Sequence, residues 1–167
     1  MEFLTLAKNR YSCRKWKDTP VEKEKLEKII EAAVLAPTGC NYQPWKIWIV
    51  QDAHKEEFRE TAKIRFEAPV YMLVGAKKDE AWTREYDDWN IADIDAAIVA
   101  THMILEIEEL GLGTVWTGHF DAPALKEKYE VLKDYSLIGI FPIGYPDKGP
   151  SHLHDKTKEV TDLVSDL

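Results

Sequence analysis

The chain has 167 residues, 45% hydrophobic and 11% aromatic, with only 8 Gly and 8 Pro, enough to bury one core and too apolar for a disordered chain. Its 22 basic and 30 acidic side chains leave a net charge of −8, which disfavours nucleic acid and anionic membrane as partners. Cys13 and Cys40 have no C-x-x-C pairing and no ligand-like histidine spacing around them, so neither a disulfide framework nor a metal site is indicated. The N-terminus lacks the basic and apolar regions of a signal peptide, and the longest nearly uncharged apolar run, residues 96–105, is too short to span a bilayer. A soluble, cytoplasmic protein is expected.

In chain order, Thr19-Pro20-Val21-Glu22 reads as a helix start, with Thr19 as N-cap, Pro20 at the first helical position and Glu22 completing a capping box. Leu26, Ile29, Ile30, Ala33 and Val34 then fall on one helical face, and Pro37 and Gly39 close the helix. Residues 45–50 and 70–74 are short β-branched and aromatic runs that read as strands, with a polar surface helix over 53–66 between them. Residues 91–110 predict a long helix whose middle is apolar nearly all round, capped by Gly111 and therefore buried on several sides.

A strand at 114–116, a helix from Asp121-x-Pro123 to about 132 and a strand at 137–143 follow. Pro142 inside the last strand points to a sheet edge or a bulge. Residues 145–167 read as a polar tail. With no linker or repeat and no strict βαβ alternation, a single α+β domain over residues 1–167 is expected.

Three segments carry candidate chemistry. In Arg10-Tyr-Ser-Cys-Arg14 a spacing of two puts Arg10, Ser12 and Arg14 on one face of an extended strand, and two guanidinium forks beside a hydroxyl match a phosphate; ordinary surface charge on an edge strand is the plainer use of the same residues. Ala36-Pro-Thr-Gly-Cys-Asn-Tyr-Gln-Pro-Trp45 holds backbone and amide groups rigidly at a strand entrance, as recognition of a polar planar ligand requires. In residues 111–118, Gly113 and Gly118 bracket a short strand and let backbone N–H groups approach a ligand edge; the spacing is not that of a dinucleotide fingerprint or a P-loop.

Together with Ile143-Gly-Tyr-Pro146, these motifs stand in the order in which the flavin-dependent nitroreductase family has them, and the chain resembles that family from about residue 7 to 160. The resemblance implies an α+β sandwich with a mostly antiparallel central sheet flanked by helices. It also implies a homodimer with FMN in clefts at the subunit interface, and ping-pong hydride transfer from NADH or NADPH to nitroaromatic, quinone or similar electron-poor acceptors. A dehalogenase or dehydrogenase on the same fold and a non-enzymatic flavin-binding or redox-sensing protein are the alternatives.

Carried over by motif, Arg10, Ser12 and Arg14 would hold the FMN phosphate and ribityl chain. Asn41 and Gln43 would face the ring from the partner subunit, with Pro37 and Thr38 along that side, and Thr117 and Gly118 would lie beside the isoalloxazine. Lys156 or Lys158 stands where the family has a basic pair reaching the phosphate. The family also makes the long apolar helix a dimer face, so that Ala97, Ile98, Thr101 and Leu105 would meet a partner.

No acid or base side chain is required, because the cofactor supplies the redox chemistry. Trp82, Tyr86 and Trp89 share one face at helical spacing; packing is the usual role of such a stripe, and their place before the long helix makes them candidate walls of the acceptor pocket. His152 and His154 read as solvated tail residues, His102 as a hydrogen-bonded helix histidine, Cys40 as a space-filler, and His119 as a neighbour of the third motif.

Overall fold

The computed structural model describes residues 2–166. In chain order the elements are α1 (Phe3–Asn9), α2 (Lys23–Val34), β1 (Trp45–Val50), α3 (Lys55–Thr61), β2 (Val70–Ala76), β3 (Thr83–Arg84), β4 (Trp89–Asn90), α4 (Ala92–Glu109), β5 (Gly113–Thr114), α5 (Ala122–Lys128) and β6 (Ser136–Gly144). The main sheet runs β1-β2-β6-β5 with every pair antiparallel, and β3 and β4 form a separate hairpin.

Strand β2 is buried along its whole length because helices cover both faces of the sheet. Successive side chains point to opposite faces, so Val70, Met72, Val74 and Ala76 meet one apolar layer with α2 and α4. Tyr71 and Leu73 meet a second layer with Phe58 of α3 and Leu125 of α5. The result is the expected α+β sandwich.

The long helix was legible almost to the residue, and its end shows why. Gly111 has φ 71°, its N–H bonds the Glu108 carbonyl at 2.9 Å, and the Leu112 N–H bonds the Ile107 carbonyl at 3.0 Å, which is a Schellman closure. A Cβ at Gly111 would meet no atom within 4 Å, so Gly111→Ala isolates the backbone cost of the left-handed conformation. We expect a loss of about 1–2 kcal/mol, read as a fall in Tm of about 2–4 °C per kcal/mol in a domain of this size.

Other boundaries differ from the sequence reading. Helix α2 begins at Lys23 with Glu22 at the N-cap and no side-chain cap bond, not at Thr19-Pro20. The Glu22 carboxylate is engaged elsewhere, accepting the Tyr145 hydroxyl at 2.7 Å, which removes the capping box. Helix α3 stops at Thr61 because Lys63 takes φ 53° and closes a Schellman motif through Lys63 N–H to Glu60 O and Ile64 N–H to Arg59 O, both 3.1 Å; a lysine at this position gives no warning in sequence.

Strand β6 is interior, not an edge, and the β2–β6 irregularity falls at Val74/Gly75. Pro142 is tolerated because the neighbouring segment pairs at Gly113↔Gly144 and Thr114↔Ile143 and then again at Thr117↔Ile140, so the missing N–H falls where that segment has left the ladder. Trp82, Tyr86 and Trp89 do not share a helical face: Trp82 precedes β3, Tyr86 lies in the hairpin turn and Trp89 opens β4. The turn is held instead by Arg84, which donates to both carboxylate oxygens of Asp87 at 2.7 and 2.6 Å and lies over the Trp89 ring at 4.6 Å. No helix among the described residues is long and apolar enough to cross a membrane.

Candidate functional site

The first motif runs beside β5. The Cys13 N–H bonds the Thr114 carbonyl at 2.9 Å, and Ser12 bridges Thr114 in parallel sense. Cys13 points inward and is 1% exposed, burial pushing its thiol up. Alternation then turns Ser12 and Arg14 the other way, as the spacing predicts, into a cavity of about 460 Å³.

Gly113 permits the close approach. A Cβ there would come within 2.8 Å of Cys13 Cβ and 2.9 Å of Pro146 Cγ.

The far wall of the cavity is a segment that sequence reasoning missed. Lys148, Gly149, Pro150 and Ser151 line it together with Ser12, Arg14 and Lys15. Backbone bonds fix this wall against residues 11–17: Lys17 N–H to Tyr145 O at 2.9 Å and Asp147 N–H to Lys15 O at 3.0 Å. The Tyr11 hydroxyl adds a bond to Lys148 O at 2.8 Å. Asp147 neutralises Lys15 at 2.7 Å, so Arg14 and Lys148 supply the cavity's positive charge. The one sequence signal was the Pro-Asp-Lys-Gly-Pro turn at 146–150, whose composition marks a tight turn but not its destination.

Arg10 does not line this cavity. Its N–H still closes the last turn of α1 on the Leu6 carbonyl at 3.0 Å, so the strand alternation starts only at Tyr11. Its charge acts on Glu108, whose carboxyl burial pushes up and which Arg10 and His154 pull back down. Lys156 and Lys158 are exposed on the tail and also lie outside the cavity. That tail is pinned to α1 by His154, whose Nε2 lies 2.9 Å from the Lys8 carbonyl.

In the second motif, Cys40, Asn41 and Gln43 have φ of 49°, 57° and 52°. Three non-glycine residues in the left-handed region within four positions mark stored backbone strain. The loop is held by the Gln43 N–H to Thr38 Oγ1 at 3.1 Å and the Lys77 N–H to Pro44 O at 2.8 Å. A third tie runs from the Gly39 N–H to Asp95 Oδ1 of α4 at 2.9 Å. Pro37, Asn41, Tyr42 and Gln43 are exposed and Thr38 is half-buried, so the loop presents amide groups outward. Among the described residues no hydrogen bond or ion pair joins it to residues 10–14.

In the third motif Thr117 exchanges backbone bonds with Ile140 at 2.9 and 3.0 Å. The hydroxyls of Thr114 and Thr117 are buried without a partner among the described residues, and a Cβ at Gly118 would meet nothing within 4 Å. His102 bonds its own helix through Nδ1 and the Ile98 carbonyl at 2.9 Å.

The donor set fits FMN. A guanidinium, an ammonium and two hydroxyls surround a cavity wide enough for a phosphate, and unpartnered threonine hydroxyls with an open glycine follow on the adjoining strand. An α+β sandwich with an anion-matched cradle at the β5 end of its sheet is thus the class that fold and site define.

The model of the nitroreductase family matches residues 7–66 and 57–145, and the chain belongs to that family. It is similar to a nitroreductase family protein of Clostridium difficile 630, at 39% identity and a TM-score of 0.91 over 99% of this chain and 98% of that one. An FMN-dependent nitroreductase of Clostridium difficile R20291 is 31% identical with a TM-score of 0.73, over 95% and 93% of the two chains. A protein named NADH dehydrogenase from Thermus thermophilus is 29% identical, the match covering 89% of each chain.

Proposed function

We propose that the protein is an FMN-dependent oxidoreductase that takes electrons from NADH or NADPH and passes them to nitroaromatic, quinone or similar electron-poor acceptors in two half-reactions. The observation that carries this reading is the cradle of Ser12, Arg14 and Lys148, with two cations that form no ion pair among the described residues. Bound FMN would supply two-electron redox chemistry. The chain's own residues then bind, orient and exclude water.

Ser12, Arg14 and Lys148 hold the phosphate by charge-assisted bonds, and Arg10 stands at the ribityl end. Lys156 and Lys158 reach the phosphate only if the tail is drawn in around it. Thr117 and Gly118 flank the ring, and Trp82, Tyr86 and Trp89 form the wall against which the acceptor packs. Pro37, Thr38, Asn41 and Gln43 belong to a ring-facing wall supplied by the second subunit of a homodimer.

The separation of the loop from the phosphate cradle within one chain supports the last assignment. The lone chain also leaves apolar side chains that a second subunit would cover, Phe3, Leu4, Leu35, Val160, Leu163 and Val164 being 62–73% exposed. On α4, Ala97, Ile98 and Leu105 are half-buried and Thr101 is exposed, opposite the stripe of Ala92, Ala96, Val99, Met103 and Ile107 that enters the core.

The purified protein should be yellow, or become so on addition of FMN, with one flavin per chain. A colourless protein that takes up no added FMN would rule the reading out.

A further inference from the structure

We propose that Asp95 is the positioning residue of the strained loop 36–45, fixing through Gly39 the direction in which Asn41 and Gln43 are presented. The inference rests on the flavin reading of that loop. Asp95 lies in the first turn of α4 and is 1% exposed. One carboxylate oxygen accepts the Gly39 N–H at 2.9 Å, and the other is buried with no partner among the described residues. Burying a carboxylate with half its hydrogen-bonding capacity unused is costly. The dipole at the helix start offsets only part of this, and a small apolar residue would serve the core better.

What the carboxylate gains is control of the loop. Cys40, Asn41 and Gln43 hold left-handed φ values, which strain residues other than glycine and, less so, asparagine, so the conformation persists only where its surroundings over-determine it. Gly39 is where they do so. A Cβ at Gly39 would lie 2.3 Å from Ile91 Cδ1 and 3.2 Å from Trp82 Cβ, so the loop is wedged into the joint where the Ile91 N–H bonds the Trp82 carbonyl at 3.2 Å. Asp95 clamps that wedge. Asp95 thereby ties the ligand loop to the start of α4, while the close packing of Gly39 on Ile91 and Trp82 seats it at the root of the β3–β4 hairpin, the wall against which the acceptor would pack.

The test compares Asp95→Ala and Asp95→Asn by amide hydrogen exchange and by FMN titration. In Asp95→Ala the Gly39 amide should exchange at least tenfold faster and FMN affinity should fall at least tenfold, while the amides of Met72 and Phe141 in the β2–β6 ladder keep wild-type protection. Asp95→Asn retains an acceptor oxygen and should restore both readouts to within about threefold. Should Asp95→Ala not fold, Asp95→Ser carries the same expectations, because its shorter side chain stays polar but ends short of Gly39. Unchanged Gly39 exchange in the Ala or Ser variant overturns the proposal, as does fast Gly39 exchange with wild-type FMN affinity. A wild-type protein that takes up no FMN defeats the flavin reading alone, and the exchange data still decide whether Asp95 holds the loop.

Discussion

Arg14→Glu is expected to weaken FMN binding by about two to three orders of magnitude while leaving the fold intact. Arg14 is exposed and its side chain makes one bond among the described residues, to the Ser12 carbonyl at 3.0 Å, so the substitution removes little from the core. A hydrogen bond to a charged group contributes about 1.5–3 kcal/mol, and each 1.4 kcal/mol is a factor of about ten. Arg14→Ala should therefore cost about ten- to a hundredfold, and reversal adds repulsion between the new carboxylate and the phosphate.

Lys148→Ala should weaken binding less, since a lysine ammonium lacks the bidentate fork. Lys23→Glu makes the same change in net charge at an exposed position of α2 and controls for long-range electrostatics. Flavin fluorescence titration at two salt concentrations reads all four variants. Equal FMN affinity in Arg14→Glu and Lys23→Glu would move the phosphate out of this cradle.

Thr101→Arg should convert the protein to a monomer that no longer retains FMN. The position is exposed in the single chain, with its hydroxyl bonded to the Ala97 carbonyl of its own helix at 2.8 Å, so an arginine there is harmless to the fold of one chain. At a two-fold interface the same change appears twice on facing helices, and burying an unpaired charge costs about 3–5 kcal/mol. Dimer affinity should fall by at least two orders of magnitude on sedimentation, with the far-ultraviolet circular dichroism unchanged. FMN should be lost in parallel, because Asn41 and Gln43 would leave with the partner. A variant that remains dimeric and yellow would place the subunit contact elsewhere than on α4.

Much of this architecture was legible because patterns of period two and 3.6 are strong where burial is strong. The stripe of Leu26, Ile29 and Ala33 on α2, though not Val34, the continuous apolar run of β2 and the bounds of α4 were each legible in this way. What failed were local choices decided by tertiary partners: Glu22 abandons a capping box for Tyr145, Lys63 takes a conformation usually left to glycine, and Pro142 survives inside the sheet because its neighbour strays.

The aromatic stripe at 82, 86 and 89 failed for a different reason. A spacing of three and four is compatible with a helix, yet Arg84 and Asp87 close a turn between the same residues, and periodicity over eight residues cannot distinguish the two. At the candidate site, alternation put Ser12 and Arg14 on one face, and both line the same cavity, without Arg10. It could not find Lys148, which is 134 residues further along the chain than Arg14 and arrives beside it through the ladder of 145–147 on 15–17. Asp95 was hidden for the opposite reason, as one acid in the first turn of a helix where acids are common.

The most direct test of the proposed activity is anaerobic stopped-flow mixing of the FMN-loaded protein with NADH or NADPH, followed by a nitroaromatic or quinone. The visible flavin absorbance should bleach within a catalytic turnover with at least one nucleotide and return when the acceptor is added, the two phases being separable as two half-reactions. A bound flavin that stays oxidised with both nucleotides would contradict the account.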